Sequence, residues 1–151
     1  MAKRFVDTNK YKKLFMRSLP GAYKIFWDYL CLECDHAGIW HVDFEIAQIY
    51  VGKDMPINPK EALSLFNKDE VRILVLSGGK KWFIKPFVDF QYGTLNPAVK
   101  THASVLAILQ KEGVTELFAN CLQTVKDKDM DKDMDIKEGG AGGDSEMRIA
   151  D

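Results

Sequence analysis

Three features of the 151-residue chain predict an α+β fold that is mainly helical. A wide apolar stripe at helical spacing runs from Tyr23 to Cys34. After a strand-like stretch, Ile39–Val42, come two short segments that each open on a capping residue, Asp43 and then Asn58 with Pro59 behind it. Two β-rich runs, Val71–Leu76 and Lys81–Lys85, then flank a Ser77-Gly78-Gly79-Lys80 tip. Helix, strand, helix, helix and ribbon, in that order, is the plan of a winged helix-turn-helix, here with a two-stranded wing and an extra C-terminal helix.

Each element has its own signal. Lys10 to Arg17 reads as a short amphipathic segment, with Tyr11, Leu14 and Phe15 apolar and lysines between them. Ser18-Leu19-Pro20-Gly21 offers a cap and an early proline, which start the main helix. Its stripe is Tyr23, Phe26, Trp27, Leu30, Cys31 and Cys34, and Asp35-His36-Ala37-Gly38 breaks it. The next helix, Phe44 to Tyr50, is expected to bury Ile46, Ala47 and Tyr50. A loop with Gly52 and Pro56 leads to a helix from Pro59 to about Asn67, with Ala62, Leu63 and Phe66 inward and Lys60, Ser64, Asn67 and Lys68 outward. After Pro86, a short helix is favoured over a longer strand. Asn96-Pro97 reads as the start of a helix to about Glu112, with His102, Val105, Leu106 and Leu109 along one side. Residues 114–125 are apolar enough to dock as one more helix. From Lys126 the Lys-Asp repeat and the Gly139–Gly143 run cannot bury a core, so 126–151 is expected to be a disordered tail beyond a domain of 1–125.

No run of about 18 apolar residues exists, and the N-terminal bases are not followed by the apolar stretch of a secretion signal, so a cytoplasmic, nucleoid-associated protein is expected. Three cysteines, Cys31, Cys34 and Cys121, are an odd number without an export signal, which argues against a disulfide framework. The net charge of −1 hides an asymmetry. Residues 1–24 carry a net +6, with Asp7 their one acid, whereas residues 126–151 carry −4. Local fields, not the total, decide where a polyanion docks.

The residues that could carry chemistry are mostly cations. On the 59–67 helix, Asn67 could pair with adenine and Lys60 donate to guanine, with Ser64 and Lys68 beside them, although Glu61 and Glu45 dilute the positive field. Taken alone, these are also what any solvated helix carries. Lys80 and Lys81 on a glycine tip suit phosphate contacts, because glycine lets backbone amides approach closely. Lys10, Lys12, Lys13 and Arg17 suit an N-terminal basic arm flanking the groove. Cys31-Leu32-Glu33-Cys34 with His36 and His41 has zinc-like spacing, but the pair lies on an apolar helical stripe and the second ligand pair is missing. No metal or other cofactor is therefore expected. His36, His41 and His102 stand apart from any Ser or Cys motif, and Asp43/Glu45 and Asp69/Glu70 are explained by caps and turns. An enzyme is not expected.

Leu19-Pro20 through Trp27-Asp28-Tyr29-Leu30 and Cys34-Asp35-His36-Ala37-Gly38-Ile39-Trp40 are followed by Trp82-Phe83-Ile84-Lys85-Pro86-Phe87-Val88-Asp89-Phe90-Gln91-Tyr92-Gly93 and the Lys-Asp tail. In order and spacing, this series resembles the N-terminal domain of phage replisome organisers and related primosome proteins of the DnaD type. The resemblance implies a phage- or prophage-type replication initiation protein. It would bind double-stranded DNA near an origin, as a homo-oligomer on DNA, with the replicative helicase or its loader as a further partner. Many relatives use a second helical domain for helicase or single-strand contacts, and no counterpart of it is expected within these 151 residues. A transcriptional regulator with the same module, and a winged helix that contacts proteins within a replication complex, are the alternative readings.

Overall fold

The computed structural model describes residues 2–114, and the chain divides into one compact unit ending at Glu112 and a second from Gly113 onward. The expected helix and tail within 115–151, and the expected boundary at residue 125, lie outside the described residues. The first unit is α+β and mainly helical, with a small antiparallel sheet.

A single 3-10 turn, Lys10–Lys12, leads into α1 (Leu14–Ser18), so the expected amphipathic segment forms in two pieces. The main helix α2 (Gly21–Glu33) follows. Ser18 does not cap it: the hydroxyl donates back to the Phe15 carbonyl and closes α1. Pro20 occupies the capping position instead, and its carbonyl accepts from Tyr23 and Lys24. The inward face of α2 holds Tyr23, Phe26, Trp27 and Leu30 as expected, and Tyr29 as well.

Strand β1 (Ile39–His41) precedes α3 (Phe44–Val51) and α4 (Pro59–Phe66). Both helices begin where the sequence places them, because Asp43 accepts from the Ile46 amide and Asn58 from the Glu61 amide. Gln48 shapes the turn between them, donating to the carbonyls of Gly52 and Met55 and accepting from the Ile57 amide. The rotation of α3 departs from expectation. Ile46 and Tyr50 are 51% and 52% exposed, and the inward line is Phe44, Ala47 and Val51. Phe44 sets this rotation by packing its ring 5.4–5.5 Å from those of Phe26, Trp40 and Trp82.

Strands β2 (Ile73–Leu76) and β3 (Lys81–Ile84) form a hairpin whose turn spans Ser77–Gly79, and β1 pairs with the far side of β3, giving the order β1-β3-β2. Trp82 faces Trp40 on β1 and Val75 on β2. The favoured short helix forms as α5 (Lys85–Tyr92), with Pro86 in its first turn where no amide is lost. The last helix, α6 (Lys100–Lys111), starts later than Asn96-Pro97 suggests. Asn96 uses its side chain to accept from Ala98 in a local turn, while its amide donates to His102 Nδ1. Val105 and Leu109 are buried, and His102 and Leu106 are half-buried. No helix among the described residues is long and apolar enough to cross a membrane.

Candidate nucleic-acid interface

Helix α4 is fixed at both ends, and its fixation decides which polar groups remain available. At its start, the Tyr23 hydroxyl on α2 accepts from the Asn58 amide and donates to the Glu61 carboxylate at 2.9 Å. Burial, with that carboxylate beside it, holds the Tyr23 hydroxyl above its ordinary titration range. Glu61 is thereby drawn toward the protein body. Lys60 and Ser64, four residues apart, remain exposed on one side of α4 without an ion-pair partner among the described residues.

Asn67 is not part of that face. Its carbonyl oxygen accepts from the amides of Arg72 and Ile73, and its amide nitrogen donates to the Ile73 carbonyl. A side chain committed three times to backbone cannot also read a base. Asn67→Ala should lower stability by about 2–3 kcal/mol, the sum of three modest hydrogen bonds. Urea denaturation measures this, and an unchanged midpoint would mean that the three bonds are worth nothing net. Lys68 is exposed in the turn that follows.

The hairpin likewise separates its two lysines. Lys80 is exposed beyond Gly78 and Gly79, both at positive φ. Lys81, expected beside it, points back and pairs with Glu112 at 2.6 Å, with both side chains largely covered. Lys81 is the first residue of β3, where it lies in register with His41 on β1 and Leu76 on β2.

The N-terminal segment is docked along the protein rather than extended as a free arm. Arg4 donates to the carbonyls of Cys31, Leu32 and Cys34, capping the C-terminus of α2, and its guanidinium lies 4.9 Å from the Phe87 ring centre. Gln91 binds both the amide and the carbonyl of Phe5. Lys10 pairs with Asp28 at 2.7 Å; burial opposes its charge, the carboxylate outweighs that, and Lys10 titrates above its usual range. Asp28 also accepts from the Tyr11 hydroxyl. Lys13 pairs with Asp7 and holds that carboxyl below its usual range, but this lysine stays mostly exposed. Of the expected arm, Lys12 and Arg17 are exposed and unpaired among the described residues, and Lys10 is spent on Asp28.

The other sequence candidates resolve into structural roles. Burial pushes the Cys31 and Cys34 thiols up to about 12, so neither supplies thiolate near neutrality, and no group of three or more metal-ligating side chains occurs among the described residues. His36 is not isolated: its Nε2 lies 2.9 Å from the Ser104 hydroxyl. The adjacent Asp35 carboxylate, however, accepts from the amides of Ala37 and Ile39 and does not orient the ring. Arg72, which the sequence did not single out, is the one buried charge among the described residues. It bonds the Phe66 carbonyl and Asp69 and lies 3.8 Å from the Phe15 ring centre, joining α4, the hairpin and α1.

The chain matches no family model, no curated protein and no solved structure.

Of the residues the sequence offered for DNA contact, Lys60, Ser64, Lys68, Lys80, Lys12 and Arg17 are thus exposed and without an ion-pair partner among the described residues. Such groups can neutralise phosphates and donate to acceptor atoms on base edges.

Proposed function

We propose that this chain is a winged-helix protein that binds duplex DNA and acts in replication initiation, in the manner of the phage and prophage proteins its sequence resembles. The observation carrying this reading is the order of α2, β1, α3, α4, β2 and β3, with sheet order β1-β3-β2 and an exposed Lys60/Ser64 face on the second helix of the α3–α4 pair. In a winged helix that second helix enters the major groove, and the hairpin, here carrying Lys80, meets the adjacent backbone. Asn67, Lys81 and Lys10 drop out of the contact set, which leaves one face, one tip lysine and the Lys12–Arg17 region. Assembly of several copies on nucleoid DNA, and contact with the helicase or its loader, belong to the same reading and rest on the resemblance alone.

The test is binding to fragments of the protein's own genome, followed by fluorescence anisotropy over a salt series. Wild-type affinity should fall steeply with salt. Lys60→Ala with Ser64→Ala should cost roughly 1–3 kcal/mol per lost base contact and relax sequence preference. Lys80→Ala should weaken all sequences alike and reduce the salt slope by about one unit. If all three substitutions together leave binding unchanged, this face is not the reader. Replication and transcription use the same module, so the position of the preferred fragment, at an origin or at a promoter, separates them.

A specific observation favours one further reading. Ile46, Ile49 and Tyr50 stand exposed along α3, next to the proposed reading helix, and an apolar helix face suits a protein partner better than phosphate. Absence of salt-dependent DNA binding would select this protein-interaction role.

A further inference from the structure

Beneath the docked N-terminal segment lies a cavity of about 440 Å³, lined by that segment, by α1, α2 and α5, by Tyr50 of α3, and by Glu70 and Arg72 ahead of β2. Its size is within the roughly 300–1,000 Å³ range of small-molecule sites. The floor consists of buried apolar side chains, Met16, Trp27 and Phe87. Its mouth is apolar as well: Leu32 and Phe90 line it while 56% and 48% exposed. Aromatic walls left open to water in this way favour a flat apolar occupant.

The charges around the cavity define the ligand further. Four cations line it, and each is already engaged. Arg4 is held by α2 carbonyls, Lys10 by Asp28 and Lys13 by Asp7. Arg72 is held by Asp69 and by Glu70 at 3.6 Å. The three lining carboxylates, Asp7, Asp28 and Glu70, are the other halves of those pairs. A charged ligand would have to break an existing pair or be desolvated without one, and both are costly. A neutral ligand meets neither penalty.

We infer that this cavity is a binding site for a neutral, aromatic small molecule. Occupancy would bridge the N-terminal segment to α2 and α5, and so stabilise its docked position by mass action. The site is independent of DNA binding and stands or falls separately from it.

The full chain should be titrated with N-phenyl-1-naphthylamine, a neutral dye that fluoresces in apolar surroundings. Saturable one-site enhancement is expected. Phe90→Ala removes a wall and Leu32→Glu places a charge at the mouth; each should weaken the dye about fivefold or more. Both positions are exposed, so the fold should persist, and circular dichroism checks it. Ile49→Glu, on the exposed face of α3 outside the cavity, should leave binding unchanged. The anionic analogue 8-anilino-1-naphthalenesulfonate should bind at least about tenfold more weakly. A non-saturable signal, or binding that survives both cavity variants and is lost in Ile49→Glu, overturns the site. Equal affinity for the anionic dye overturns the ligand class.

Discussion

Phe66→Ala should destabilise the protein by about 3–5 kcal/mol, the largest effect expected of any single substitution here. Phe66 is completely buried at the last position of α4. Its ring centre lies 4.9 Å from Trp27, 5.9 Å from Phe26, 6.2 Å from Phe15 and 6.3 Å from Tyr23. Three of these rings are on α2 and one is on α1, so the cavity would open where three helices meet. The surrounding aromatics are too large to collapse into it. Phe15, which would lose this neighbour, also carries the Arg72 guanidinium on its ring, so the loss would reach the base of the hairpin. Urea denaturation gives the number. Phe66→Leu, which keeps most of the volume, should cost clearly less. A loss below about 1.5 kcal/mol for the alanine variant would mean that α4 is not anchored through this ring.

Gly38→Ala should cost roughly 2–4 kcal/mol, combining a left-handed backbone penalty with overpacking. Gly38 sits at φ +80°, and a Cβ there would lie 3.0 Å from the Ile84 carbonyl oxygen and 3.2 Å from Val88 Cγ2. The first of these neighbours is backbone and cannot step aside. The Gly38 carbonyl also accepts from the Ile84 amide, so any shift loosens the start of the β1–β3 pairing. Gly78 offers the contrast. Its φ is +63°, but nothing lies within 4 Å of a Cβ at that position, so Gly78→Ala should show the conformational penalty alone, about 1 kcal/mol. Comparing the two midpoints separates crowding from backbone strain. Equal losses would show that crowding at Gly38 is negligible.

What the sequence made legible is local. Asp43 and Asn58 cap within three residues of themselves, Pro59 sits at the first helical position, and two glycines mark the hairpin tip. These signals need no tertiary partner, and they placed α3, α4 and the β2–β3 ribbon. The misplacements all involve a partner far along the chain or a choice among local ones. Lys10 finds Asp28 across 18 residues and Lys81 finds Glu112 across 31, so each looked like a free cation until the chain was folded. Ile46 and Tyr50 looked inward because apolar spacing on an eight-residue helix fits more than one rotation, and Phe44 chose another. The cations left unpaired are therefore fewer than the sequence alone suggested. The docking of Arg4 against α2 had no local signal at all.

Asn67 has a consequence for the edge of the sheet. Strand β2 is outermost in the sheet, and the Ile73 amide and carbonyl point away from β3. An outermost strand is ordinarily a template onto which another chain can add. Here the Asn67 side chain, itself a peptide-like amide, occupies the Ile73 groups as a residue of a neighbouring strand would. The position is filled from within, by six residues' reach. A strand added at Ile73 would first have to displace Asn67, so that end of the β2 edge is closed while the Val75 end, 48% exposed, is not.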